Sequence, residues 1–242
     1  MTTDFEPQKT CDLDVRVWDQ LLGRYVRAGR VAYATWQNRD QEPLAAWILA
    51  QSQVNHGELT PDQALAFWIN LYNALTIQAV LDQYPIASIF PKVLGIPDFI
   101  QFLRFFQKPR WRSGDRTYSL NQIEHGILRP HYPDPRLHFA LVCASVGCPW
   151  LRSQAYTPER VQSQLSEEAD RFIHNPSKVL YDPTRHQLHL SPIFRWYRRD
   201  FEAAAGSVIA YLQPYLQLPG TSLQTLSIRY LPYDWGLNQR IS

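Results

Sequence analysis

Thr60-Pro61-Asp62-Gln63-Ala64-Leu65-Ala66-Phe67-Trp68-Ile69-Asn70-Leu71-Tyr72-Asn73-Ala74-Leu75 opens the strongest helix signal in the chain. Thr60 is an N-cap, Pro61 takes the first helical position, and Gln63 completes a capping box. Tyr84-Pro85 stops the helix near residue 83. The stretch is apolar almost all round, so the helix belongs in an interior. Asn70 and Asn73 lie three apart and share a face. A buried amide left without partners costs roughly 1–3 kcal/mol. These two therefore either fix a neighbouring backbone segment or line a site.

Working outward, residues 14–26 and 43–54 repeat apolar side chains at helical spacing, and residues 97–107 form a Phe-rich helix. Past residue 115 the pattern shifts. A short strand is expected over 116–118. Ser119, with Gln122 three on, caps a helix to about 128 that Pro130 stops. Residues 136–144 read as a buried strand, because the apolar run is too short for a typical helix. Thr157-Pro158 opens a polar helix to about 173, strands at 179–182 and 187–190 form a hairpin, helices follow at 191–201 and 207–216, and 226–231 is a last strand. The fold class is α+β, with a helix-rich first half packed on a small, mostly antiparallel sheet.

Composition narrows the function classes. The chain has 242 residues, 13% aromatic, with 24 basic against 22 acidic side chains. That balance gives no electrostatic footprint for nucleic acid or an anionic membrane. The first residues carry no basic-then-apolar leader, and no window approaches the ~18 uninterrupted apolar residues of a spanning helix. A cytoplasmic protein is expected, with its three cysteines reduced. Residues 1–11 read as a tail in which Cys11 has no role, and residues 12–242 as one domain.

Polar residues interrupt the apolar pattern at two further places. Glu124 and His125 are adjacent on a helix, about 100° apart, so they are not expected to pair directly. Cys143 and Cys148 follow His138 at a strand-to-loop edge. Three readings stand for this cluster. A thiol attacks a carbonyl, with His125 or His138 as base and Glu124, Asn70 or Asn73 orienting the ring. Two cysteines with two of His125, His131 and His138 hold zinc, although the spacing follows no zinc pattern. Or Cys143 and Cys148 are packing residues that join on oxidation. The aromatic and Arg-rich run 191–201 and the segment 230–238 read as a packed helix and a structural clasp.

The same segments resemble one family. Phe67-Trp68-Ile69-Asn70-Leu71-Tyr72-Asn73-Ala74 is similar to its FWINxYNA element, and Ile123 to Arg129 to its IEHxxLR element. Asp134 to Pro149 is similar to DPRxHFALxCxxxxCP, Ser191 to Phe201 to SxIFxWYxxDF, and Tyr233 to Asn238 to YDWxLN. These are motifs of domain of unknown function 547, found in bacteria and plants. The resemblance implies that Asn70, Asn73, Glu124, His125, Arg129, His138, Cys143 and Cys148 fall on family positions. It also implies an arrangement similar to papain or transglutaminase, with His125 preceding Cys143, the reverse of the papain order.

The expected activity is cysteine-dependent acyl transfer, or hydrolysis of an amide or isopeptide, on a small peptide or thiol-containing metabolite. Cys143 is the nucleophile, His125 the base and Glu124 the orienting group. Asn70, Asn73, Arg129, Arg136, His138 and Cys148 support the site, with Arg129 and Arg136 available to a carboxylate. Backbone N–H groups from Ser145 to Cys148 are the expected oxyanion hole. No cofactor or metal is expected. The alternative from another class is a non-catalytic module that binds a peptide or a glutathione-like thiol in the same cleft.

Overall fold

A computed structural model describes residues 13–93, 95–216 and 226–240, the side chains of 92 and 93 excepted. Cys11 and the expected tail lie outside the described residues. The chain runs α1 (Arg16–Tyr25), β1 (Val26–Arg27), β2 (Arg30–Val31), α2 (Tyr33–Gln51) and α3 (Pro61–Leu81). Then come β3 (Lys92–Val93), β4 (Ile96–Pro97), α4 (Phe99–Gln107), β5 (Trp111–Ser113) and β6 (Arg116–Tyr118). A π-helix (Gln122–Leu128) leads into α5 (Arg129–His131) and α6 (Leu137–Ala140). The last part holds α7 (Val161–Ile173), β7 (Val179–Asp182), β8 (Gln187–Leu190), α8 (Ile193–Trp196), α9 (Arg198–Ala205), α10 (Val208–Leu216) and β9 (Ser227–Tyr230).

Helix α3 is the axis. The Thr60 hydroxyl accepts from the Gln63 N–H and the Gln63 side chain accepts from the Thr60 N–H, so the capping box closes as read. By length and composition α3 is the one candidate span among the described residues, and protein surrounds it. Helix α2 packs against it and α1 against α2, with Trp18 of α1 stacked on Trp47 of α2 at 5.7 Å. Helix α2 starts ten residues earlier than expected and bends at Asp40, whose φ of −135° leaves the helical region three residues before Pro43.

The strands form small sheets. Antiparallel pairs β1–β2, β3–β4 and β5–β6 stand apart from a three-stranded sheet in the order β7-β8-β9. There β7–β8 is the expected antiparallel hairpin, while β9 joins β8 in parallel. The α+β class holds. Two cores result: one around α3, and one where Phe139, Phe172, Phe194 and Phe201 meet under this sheet. Helix α6 belongs to both, with Leu137 and Ala140 in the first and Phe139 in the second.

Two segments differ from their expected form. Residues 136–144 are not a strand. The Asp134 carboxylate accepts from the Arg136 N–H, and the N–H groups of Leu137, His138 and Phe139 donate to the carbonyls of Asp134, Pro135 and Arg136. The Asp134-Pro135 turn thus leads into α6, a local signal that overrides the apolar-run rule. The helix opened by Ser119 is capped as expected, yet it widens into a π register, with the Arg129 N–H donating to the Glu124 carbonyl five residues back. It continues through Pro130 to His131.

Candidate thiol site

The two asparagines of α3 are brackets. Asn70 donates to the Tyr156 carbonyl (2.7 Å) and accepts from the Tyr156 N–H (2.9 Å) and from Trp18 Nε1 (3.2 Å). Asn73 donates to the Ala140 carbonyl and accepts from the Val142 N–H, both at 3.0 Å. Its amide thereby replaces a partner strand for the extended residues that follow α6. This fixes the path into Cys143. The next residue, Ala144, has φ of +62°, a left-handed conformation that a non-glycine residue adopts at a cost of about 1–2 kcal/mol. The Asn238 N–H holds the Ala144 carbonyl at 2.9 Å.

Cys143 is partly exposed at the wall of a cleft of about 560 Å³. Its sulfur lies 3.0 Å from the Ser145 hydroxyl and 3.4 Å from that of Tyr233. A hydrogen bond from the Cys148 thiol outweighs burial, and with the two hydroxyls it holds the Cys143 thiol down to about 6. Cys148 is sealed, 4% exposed, and burial pushes its thiol well up. The Cys143 N–H donates to Cys148 Sγ at 2.8 Å.

Facing the thiols in the same cleft are Glu124, His125, Arg129 and His138. Arg129 clasps Asp200 through two bonds of 2.8 and 2.7 Å and donates a third, at 2.9 Å, to His125 Nδ1. A guanidinium only donates, so Nδ1 is the accepting nitrogen and the remaining ring proton sits on Nε2. His125 as held is a donor into the cleft rather than a base. Its Nε2 is 3.9 Å from Glu124, beyond hydrogen-bond reach. His138 Nε2 bonds Asp200 at 2.7 Å, and its ring stacks on Tyr197 at 3.7 Å. Burial lowers the His138 imidazole despite that carboxylate. Burial alone would raise Asp200, but the bonds from Arg129 and His138 win and hold it below the ordinary carboxylate range. Glu124 accepts from Tyr197 (2.6 Å) and Tyr72 (3.1 Å). Among the described residues, no hydrogen bond joins either thiol to an imidazole.

Two expected parts fall elsewhere. The N–H groups of Val146, Gly147 and Cys148 donate to the carbonyls of Gly236, Asp234 and Ser145, so three of the four N–H groups expected to form the oxyanion hole are already paired. Arg136 is taken up by Asp134, Gln162 and Ser166, and ties α6 to α7 away from the cleft. Among the described residues, no three His, Cys, Asp or Glu side chains converge to hold a metal ion. Sequence reasoning gave no site role to the side chains of Asp200, Tyr197, Tyr72, Ser145 and Tyr233. Asp200, Tyr197, Tyr72 and Tyr233 sit on quoted motif positions, and their polar atoms within aromatic runs were the available signal.

Apart from these polar groups the cleft has an aromatic wall of Phe90, Phe102, Phe106, Trp196 and Trp235. No curated protein and no solved structure matches the chain. Residues 57–173, which run from the approach to α3 to the end of α7 and include both thiols, match the model described as protein of unknown function, DUF547. The chain is therefore a DUF547 domain-containing protein.

Proposed function

We propose that the cleft performs cysteine-dependent acyl transfer, with Cys143 as nucleophile. One observation carries this reading: a cleft-facing sulfur surrounded by the Cys148 thiol and the Ser145 and Tyr233 hydroxyls, donors that hold it as thiolate near neutral pH. A preformed thiolate needs no adjacent base. It attacks the substrate carbonyl, the carbon–sulfur bond forms, and the tetrahedral oxyanion collapses to expel the leaving group. A thiolate leaving group needs no proton, so thioesters suit this site better than amides. His125 Nε2–H serves as a donor to the oxyanion, in place of backbone N–H groups. His138, its Nε2–H held by Asp200, takes the proton of the accepting nucleophile at Nδ1. The aromatic wall receives an apolar acyl group or side chain. Two free thiols fit a reducing compartment such as the cytoplasm.

Incubation with a short-chain acyl thioester of a small thiol tests the reading. The expected product is a hydroxylamine-labile acyl group on Cys143, found by peptide mass mapping and missing from Cys143→Ala. No acylation at Cys143 in a folded protein whose Cys143 still alkylates contradicts it.

A second reading has its own support. The N–H groups of Cys143, Val146, Gly147 and Cys148 are all committed, as in a cleft that binds a peptide or small thiol without turnover. Calorimetric binding of such a ligand, with no acyl-enzyme from any thioester, favours this alternative.

A further inference from the structure

The Cys143–Cys148 loop is closed on itself and on the C-terminal segment. The Cys148 N–H donates to the Ser145 carbonyl, and Val146 and Gly147 donate to Gly236 and Asp234. This folding brings Cys148 Sγ to 2.8 Å from the Cys143 backbone nitrogen. In either staggered rotamer gauche to that nitrogen, the Cys143 sulfur lies about 3 Å from the same atom. Both sulfurs thus border one backbone nitrogen, and a hydrogen bond links the two thiols directly. The two also differ in access: Cys143 is partly exposed, while Cys148 is sealed behind it, and both border the cleft.

An accessible sulfur backed by a buried one is the division of labour between an attacking and a resolving thiol. We propose that Cys143 and Cys148 form a reversible dithiol–disulfide couple that exchanges with low-molecular-weight disulfides entering the cleft. The Cys143 thiolate attacks one sulfur of the incoming disulfide; a new S–S bond replaces the old one and one thiolate leaves. Cys148 then gives its proton to solvent and attacks the Cys143 sulfur, expelling the second thiolate. The protein loses two thiols and the small disulfide is reduced to two. The low thiol value of Cys143 and the raised one of Cys148 suit these roles, since the attacker is ionised and the resolver stays protonated until the mixed disulfide forms. The couple requires no acyl substrate, so it stands or falls apart from the proposed acyl transfer.

The test uses the full chain carrying Cys11→Ser, equilibrated across reduced and oxidised glutathione mixtures, quenched with N-ethylmaleimide and digested with trypsin. Cleavage after Arg136 and Arg152 leaves both sulfurs on one peptide. The expected result is joint loss of both maleimide groups and of two hydrogens from that peptide, in one transition that dithiothreitol reverses. Cys148→Ser is expected to hold a stable glutathione adduct on Cys143 that the parent does not accumulate. Two thiols that stay alkylatable at every ratio overturn the proposal. So does an equal adduct in parent and Cys148→Ser, the folding of each being checked by circular dichroism.

Discussion

At the scale of single residues, the chemistry rests on what surrounds one sulfur. Ser145 and Tyr233 each present a hydroxyl to Cys143. A hydrogen bond to a charged group is worth about 1.5–3 kcal/mol when buried, and less at a partly open site. Tyr233→Phe and Ser145→Ala are each expected to raise the midpoint of Cys143 alkylation by up to about one pH unit, read from iodoacetamide rates between pH 5 and 9. An unchanged midpoint in both would show that the hydroxyls do not bear on the thiolate. His138 yields a stability signature. Its folded value lies below the ordinary imidazole value of 6.5 because burial disfavours the cation. Between the folded value and about 6.5 the unfolded chain binds more protons, so the contribution of His138 is complete above about pH 6.5 and is lost as pH falls through the folded value. His138→Gln is expected to flatten urea-midpoint stability between pH 6.5 and 5 relative to the parent; equal slopes would contradict this.

At the scale of elements, two devices aim the sulfur, and each is open to substitution. Asn73→Leu leaves the Ala140 carbonyl and the Val142 N–H buried without partners, and is expected to cost about 2–4 kcal/mol in urea denaturation. Gly147 has no room for a side chain: a Cβ there would stand 2.8 Å from the Tyr233 ring and 2.9 Å from the Asp234 carbonyl. Gly147→Ala is expected to push Tyr233 off Cys143, raising the alkylation midpoint while lowering stability. The elements also mark what the sequence made legible. Capping boxes at Thr60 and Ser119 and the 179–190 hairpin were readable because their signals are local. The strand expected at 136–144 gave way at its start to the Asp134 turn that winds α6, and the extended residues that follow pair with the side chain of Asn73, which no periodicity reveals. The π register was hidden for a related reason, since a helical apolar pattern does not distinguish i→i+4 from i→i+5 bonding.

At the scale of the whole molecule, the cleft lies where the two cores meet. Helix α6 spans both, and Arg129 and His138 converge on Asp200 of α9, more than sixty residues away in sequence. Tyr233 and Asn238 close the loop from the C-terminal side. These long-range pairings are why the sequence gathered the thiols and imidazoles as candidates without matching each to its partner. Helix α7 is tied to the loop before it, whose Leu151 and Tyr156 belong to the first core, by a buried pair, Arg152 with Glu168 at 2.5 Å. Arg152→Met leaves Glu168 with Arg171 alone and is expected to lower stability by about 3 kcal/mol, as loss of one partner of a buried pair does. The central claim is that Cys143 is an ionised, accessible thiol in this cleft. The most direct measurement is the rate of iodoacetamide labelling at each cysteine from pH 5 to 9, resolved by peptide mass mapping. The account predicts that Cys143 labels with a midpoint near pH 6 while Cys148 stays protected. A Cys143 midpoint above about pH 8, or earlier labelling of Cys148, would contradict it.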